Sequence, residues 1–270
     1  MFDTQIIYED EFLIAVNKPS GLLVHPSWIA SRNTPHLTGV LKQYLGHSAY
    51  TIHRLDRPTS GVIVFAKNKA TAQKLNHLFA ERKTQKTYLA VARGFVPEEG
   101  TVDYALKEKL DKIADKHANP DKPAQPAVSH FRCLATATVD IAVGRYPSSR
   151  YSLVEVKPET GRKHQIRRHL KHISHPIVGD TKHGDLRHNK AFVESFDSQR
   201  LLLMATELCF EHPDTGEWLT LSAGVDPKVE RLFDELGWSG HFPRYNPDLT
   251  ALKLPQTIEN PDDAGENSPQ

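Results

Sequence analysis

The stretch His53-Arg54-Leu55-Asp56-Arg57-Pro58-Thr59-Ser60-Gly61 runs directly into Val62-Ile63-Val64-Phe65-Ala66. A Pro-Thr-Ser-Gly turn followed by five apolar residues reads as a polar loop braced against an apolar strand. The loop holds one carboxylate between two arginines. Nearby cations favour the ionised form of an acid, and an ionised carboxylate pinned at a strand mouth can act as a nucleophile or as an electrostatic stabiliser. Arg-x-Asp triplets also occur as solvated surface pairs worth about 0–1 kcal/mol. Nine residues by themselves do not separate the two readings.

At 270 residues, 39% hydrophobic and 25% charged, the chain has the composition of a globular protein with a sizeable core. No apolar run approaches the ~20 residues that span a bilayer. The opening Met1-Phe2-Asp3-Thr4-Gln5 lacks the basic-then-apolar layout of a secretory signal. Cys133 and Cys209 are the only cysteines, so no disulfide framework or thiolate metal site is expected, and a reducing cytoplasmic setting fits. The formal net charge is only +1, but it is unevenly spread. From Arg162 to Lys190 eight Lys or Arg face two Asp, a net +6, whereas Pro255 to Gln270 holds four acids and no base. A basic stripe is what phosphate contact requires, although a solvated helix face has the same composition.

Periodicity predicts strands at Gln5–Tyr8 and Phe12–Val16, an extended run at Leu22–His25, and a short helix over 38–45. Asn68 is placed to cap a helix through Arg82. Further strands are expected at Lys86–Ala92, Val128–Val139 and Tyr151–Val156. Residues 107–127 are polar, with three prolines at the end, and read as a surface insertion. Thr160 is placed to cap a helix over 161–173, a hairpin turns at 212–217, and a last helix covers 229–236. The expected organisation is one α+β domain over 1–243, with a polar acidic tail, 244–270, expected to be disordered.

On the 161–173 helix, at about 100° per residue, Arg167 falls about 60° from Leu170, at the margin of the apolar stripe. There it could reach toward a partly buried carboxylate or simply be a rim arginine. Arg168 and Lys171 lie further toward solvent. Arg162 and Lys163 would occupy the first turn, where the helix dipole disfavours cations, which suits an anionic partner. His164, His169, His172 and His175 do not have metal-ligand spacing. Nucleotide-binding glycine loops and a serine-hydrolase elbow are absent from the sequence. Tyr88, sharing a strand face with Lys86, Ala90 and Ala92, is either a stacking platform for a base or a core tyrosine.

In combination these segments resemble the RluA-type pseudouridine synthases. The matching pieces are Tyr8-Glu9-Asp10 to His25, His53 to Ala66, Lys86 to Gly94, Leu153 to His169, His175 to Asp180 and His212 to Glu217. Where that family usually shows Leu-His-Ala, this chain has Leu203-Met204-Ala205. The resemblance implies a mixed, largely antiparallel sheet with flanking helices around a central RNA-binding cleft, with no cofactor and no metal. It implies Asp56 as the catalytic aspartate, Tyr88 stacking on the base, and Arg167 as the counter-ion of Asp56. Arg54 would fill the gap left by a flipped uridine, as chemistry on a stacked base requires extrusion. Arg57, Arg162, Lys163, His164, Arg168 and Lys171 are the further candidate substrate contacts. A finer resemblance, carried by 56–60, 110–116, 144–147 and 182–187, points to tRNA and to uridine 65 in the T-arm stem. A ribosomal RNA target or a non-catalytic RNA-binding module are the alternatives. The first motif begins within ten residues of the start, so the N-terminal RNA-binding domain of many relatives is not expected. No membrane or protein partner is expected, and the chain is expected to be monomeric.

Overall fold

The structure, a computed structural model, describes residues 3–27, 31, 34–108 and 123–254. Among the described residues eleven strands form one sheet: β1 (Thr4–Glu9), β2 (Leu13–Lys18), β3 (Tyr50–Thr51), β4 (Ser60–Ala66), β5 (Thr84–Arg93), β6 (Glu99–Asp103), β7 (Val128–Val139), β8 (Ser149–Pro158), β9 (Leu203–Glu211), β10 (Trp218–Ser222) and β11 (Ala251–Leu252). The helices are α1 (Leu37–Leu45), α2 (Lys69–Ala80), α3 (Gln165–His172), α4 (Leu186–Phe196) and α5 (Pro227–Glu235). The sheet order is β11-β1-β2-β4-β9-β5-β8-β7-β6, with β10 on β9 and β3 on β4. Only β4 and β9 pair in parallel among the described strands.

Side-chain alternation explains why β4 is apolar throughout. Val62 and Val64 pack with Leu75 of α2, while Ile63 and Phe65 pack with Leu37 and Leu41 of α1. Both faces of the strand are therefore buried. Further along the sheet, Ala90 and Val154 meet Ile166 and Leu170 of α3 on the α1 face. Leu89, Val91 and Leu153 meet Phe192 of α4 and Phe233 of α5 on the other.

This register positions the Asp56 loop. Gly61 is paired with Ala205 of β9, and Ala205 is paired in turn with Tyr88 of β5. Gly61 has φ +111, and a Cβ there would overlap the Ala205 carbonyl. The loop is clamped from below by the turn after β2. Lys18, fully buried, donates from Nζ to the carbonyls of Pro19 (3.0 Å), Leu22 (2.9 Å) and Arg57 (3.1 Å). Gly21 N donates to Arg57 O at 2.9 Å and Ser20 Oγ to Pro58 O at 2.7 Å. Thr59 N closes the loop's own turn on Asp56 O at 3.0 Å.

Several expectations are corrected. Leu22–His25 is not a strand; it contributes only a single bridge, Leu23 with His36. Helix α3 starts at Gln165, not Gly161, because His164 adopts a left-handed φ of 56. Thr160 does not cap it. Its hydroxyl donates to Gln165 Oε1 at 2.6 Å, and that oxygen also accepts from Arg162 N at 3.0 Å. Arg162 and Lys163 thus precede the helix in a turn. The basic stretch 162–190 is divided between that turn, α3 and α4, so it is not one stripe. A register shift between Thr87 and Tyr88 sends Lys86 to the face opposite Tyr88, where its Nζ lies 4.9 Å from the Phe79 ring centre. The tail does not begin at 244: Arg244 pairs with Asp234, Gln5 Nε2 donates to Asn246 O, and Ala251–Leu252 pairs with β1. Residues 255–270 lie outside the described residues, as do 109–122, which contain the 110–116 segment. Beside them, Leu106 and Gln125 bridge the two ends of the expected insertion. Helix α4 and strands β3, β6 and β11 have no counterpart among the expected elements.

Two outcomes test this account. Gly61→Ala is expected to lose on the order of 3 kcal/mol or more in urea unfolding, since strand separation is its only relief. A loss below about 1 kcal/mol would refute the close β4–β9 approach. For Lys18, burial, aided by Arg200 and Arg57 and opposed by Asp56, pulls the pKa from 10.5 to about 7. The unfolded chain therefore binds more protons between those values, and the group's contribution to stability rises with pH across that window. The stability of the wild type relative to Lys18→Met should increase by about 3 kcal/mol from pH 7 to pH 9.5. A flat or falling difference would contradict the assignment.

Candidate active site

Three elements converge where the loop enters β4: the loop itself, Tyr88 from β5, and Arg167 from α3. Arg167 is buried, and its guanidinium is divided between two carboxylates. Nη1 donates to Asp56 Oδ2 at 2.9 Å, while Nε and Nη2 donate to the two oxygens of Asp180 at 2.7 and 2.8 Å. Asp180 is itself held by the backbone N–H groups of Lys182 and His183, both 2.9 Å from Oδ1. Burial works against ionising Asp180, but the bonds and charge of Arg167 and those two N–H groups outweigh it, and its pKa falls below the ordinary value. Burial likewise opposes the charge on Arg167, and Asp180 and Asp56 reverse that, raising its pKa. The result is a chain of alternating charges: Asp180, Arg167, Asp56.

His164 completes the rim. Its left-handed backbone turns the ring so that Nε2 lies 3.7 Å from Asp56 Oδ2, while Nδ1 meets His183 Nε2 at 2.9 Å. Burial pulls the His164 pKa below its usual value; Asp56 opposes this, and Arg167 and Lys182 add to it. Tyr88 is half-buried, and burial together with the charge of Asp56 pushes its hydroxyl pKa well up, so it remains a protonated donor at neutral pH. His53, stacked on Phe79 at 4.9 Å, accepts from Val64 N at 3.2 Å. Burial and then Lys86 push its pKa down to about 3, which keeps it a neutral brace under the loop.

Asp56, Tyr88 and Arg167, with Arg54, Arg162 and His164, line one cavity of ≈ 110 Å³. A larger cavity of ≈ 700 Å³ lies on the other side of the loop, walled by Asn17, Lys18, Arg57 and Arg200. Arg167 lines both, but Asp56 and Tyr88 line only the smaller. The titratable constellation, rather than the greater volume, marks the candidate site.

The arginines that flank Asp56 in sequence do not neutralise it. Arg54 is exposed on the cavity rim, and Arg57 turns away to donate from Nε to Gly21 O at 2.9 Å. Arg162 Nε donates to Pro126 O at 3.2 Å and Arg168 Nη1 to Lys107 O at 3.0 Å, so both tie down the ends of the 107–127 segment. Lys163 and Lys171 are exposed. Met204 is buried in the core rather than in the cavity, whereas its neighbour Leu203 lines it. Asp180 and His183 were missed as site residues. The signal available was an acid next to a glycine, Gly179-Asp180, after an apolar run. Nothing in the sequence indicates that Asp180 faces Arg167.

Comparison with known proteins places the chain in a family. Residues 12–172 match the family described as RNA pseudouridylate synthase. The chain is 49% identical over 264 residues to tRNA pseudouridine synthase C of Pectobacterium carotovorum subsp. carotovorum, covering 98% of this chain and 68% of that one. It is 52% identical over 250 residues to the protein of the same name from Yersinia pestis, covering 92% and 97%. In three dimensions it is similar to human RNA pseudouridylate synthase domain containing 4, with a TM-score of 0.64, 26% identity and coverage of 90% and 95%. It shares its fold with human RNA pseudouridylate synthase domain containing 1, at a TM-score of 0.65, 22% identity and coverage of 93% and 90%. With the family match spanning more than half the chain and relatives near half identity along most of it, the chain belongs to the RNA pseudouridylate synthase family.

Proposed function

We propose that this protein is a tRNA pseudouridine synthase that isomerises one uridine, at position 65 of the T-arm stem, to pseudouridine, with Asp56 as nucleophile. The observation that carries the reading is the Asp180–Arg167–Asp56 chain opening into a small cavity faced by Tyr88. The names of the relatives support tRNA as the substrate. Position 65 rests on the resemblance of residues 56–60, 110–116, 144–147 and 182–187.

In this mechanism the target uridine leaves its stack and enters the cavity, and Arg54, at the rim, fills the gap. The contacts of Asp56 with Arg167 and His164 both fall on Oδ2, which leaves Oδ1 to attack uracil C6 or ribose C1′. The N1–C1′ bond breaks, the uracil turns, and a C5–C1′ bond forms. The proton on C5 is lost and N1 gains one, so the product has the atoms of the substrate. The carboxylate leaves when its transient bond breaks. Tyr88 stacks on the base with its hydroxyl protonated. One carboxylate suffices because the leaving base is retained and rejoined, whereas glycoside hydrolysis uses a pair. Lys163, Lys171, Arg162 and Arg168 meet phosphates beside the cavity.

Asp56→Asn should abolish pseudouridine formation, by about 10⁴-fold or more, while tRNA Kd stays within about threefold. Residual turnover near wild type would remove Asp56 as the nucleophile. Asp180→Asn should lower kcat by about 10–100-fold with KM little changed, because a displaced Arg167 misdirects Asp56 without touching RNA. Thermal unfolding of the variant separates this from loss of fold, and an effect confined to KM would contradict it. Pseudouridine mapping of total RNA with and without the protein should show one site lost, at tRNA position 65; a lost site in ribosomal RNA would overturn the substrate assignment. Replacing Arg168 and Lys171 by Ser should reduce the salt slope of log Kd by about 1–2, and an unchanged slope would take α3 out of the footprint.

A further inference from the structure

At the far end of β5 and β8, away from the cavity, two segments distant in sequence meet. The β7–β8 connection and the N-terminus of α4 approach at Gly144, where a Cβ would lie 3.6 Å from Arg187 Nη1. The meeting is fixed from beneath. Arg93 Nη1 pairs with Asp185 Oδ2 at 2.7 Å, Tyr151 Oη meets His188 Nδ1 at 2.9 Å, and Gly94 N donates to Arg150 O at 2.7 Å.

What this end presents to solvent is unusual for a protein surface. Tyr146 is 57% exposed, with the Arg145 guanidinium 5.1 Å from its ring centre and Arg145 Nη2 donating to its hydroxyl at 3.0 Å. Phe95 is 45% exposed beneath Arg150, 5.4 Å away. Leu186 is 65% exposed, and the Arg187 side chain is 73% exposed. The β7–β8 connection, the start of β8 and α4 with its cap, together with Arg93 beneath them, carry Arg93, Arg145, Arg150, Arg187 and Lys190 against Asp140, Asp185 and Glu194. Asp185 is engaged by Arg93 and by the backbone N–H of Arg187, and Glu194 lies 3.6 Å from Lys190. The local balance is cationic.

Planar guanidinium groups resting on exposed aromatic rings are the surface that unstacked bases and their phosphates recognise. We propose that Tyr146, Phe95, Arg145, Arg150 and Arg187 form a second RNA-binding surface, which holds an unpaired part of the substrate RNA remote from the nucleotide being modified. The proposal rests on the function read above and adds how a folded RNA is told from its isolated stem. Tyr88 and Arg93 are five residues apart on β5, about 17 Å at strand spacing. The surface therefore stands apart from the nucleotide held in the cavity, where a part of the RNA outside the modified stem can lie on it.

The test compares full-length tRNA with an isolated T-arm hairpin, using Tyr146→Ser, Arg145→Ser and Arg187→Ser together. All three side chains are exposed, and circular dichroism and thermal unfolding verify the fold. KM for tRNA should rise about tenfold at unchanged kcat, KM for the hairpin should stay within twofold, and the salt slope for tRNA should fall by about 2. An equal effect on both RNAs, or none on tRNA, overturns the surface. A change in sedimentation mass with unchanged tRNA KM also overturns it, in favour of contact between copies of the chain. The same comparison is made in Kd on the Asp56→Asn background. A wild type that makes no pseudouridine in tRNA overturns the proposed function, whereas equal tRNA Kd with and without the three substitutions overturns the surface alone.

Discussion

The guanidinium of Arg167, shared between Asp56 and Asp180, is the interaction on which the rest of the site depends. A buried cation between two carboxylates is stable only if each lone pair and each N–H has a partner, since the desolvation of unpaired ions costs several kcal/mol. Here the requirement is met asymmetrically. Asp180 takes two guanidinium bonds and two backbone N–H groups and is fully committed to structure. Asp56 takes one guanidinium bond and keeps an oxygen for other work. A lysine at 167 could not divide its contacts in this planar, forked way.

The sheet sets the distances that this charge chain needs. Because Gly61, Ala205 and Tyr88 are aligned across three adjacent strands, the loop and the tyrosine stand about 10 Å apart at strand spacing, with only a methyl group between them. A bulky residue at 205 would close that gap. The Lys18 clamp acts on the other side of the loop, joining the carbonyls of Leu22 and Arg57 without a carboxylate that would compete for Arg167.

Much of this was legible in the sequence wherever one physical pattern dominated. The apolar run 62–66, the Asn68 cap and the 212–217 turn each have a local cause, and each appears where local chemistry places it. Arg167 was legible as a residue at a stripe margin, but its second carboxylate was not, because Asp180 reaches it through tertiary packing. The same limit explains the flanking arginines. Adjacency in sequence suggested that Arg54 and Arg57 neutralise Asp56, yet a strand-entry loop alternates the directions of its side chains, and the cation arrives from another element. The bulge at Thr87–Tyr88 reversed the face of Lys86, which a strict period of two cannot foresee. Helix α4 escaped notice because Ala191 and Phe192 are its only buried residues, too few for a periodic signal.

The pairing of Ala251–Leu252 with Thr4–Gln5, extended by the bond from Ile6 N to Thr250 O at 2.8 Å, has a consequence beyond the fold. Strand β1 would otherwise present its outer row of N–H and C=O groups to solvent, and an open strand of that kind templates addition of another chain. The C-terminal segment occupies the first part of that row, from Thr4 to Ile6. The chain thus shields its own sheet margin from self-association, and shortening it before Thr250 would exchange a closed margin for an adhesive one.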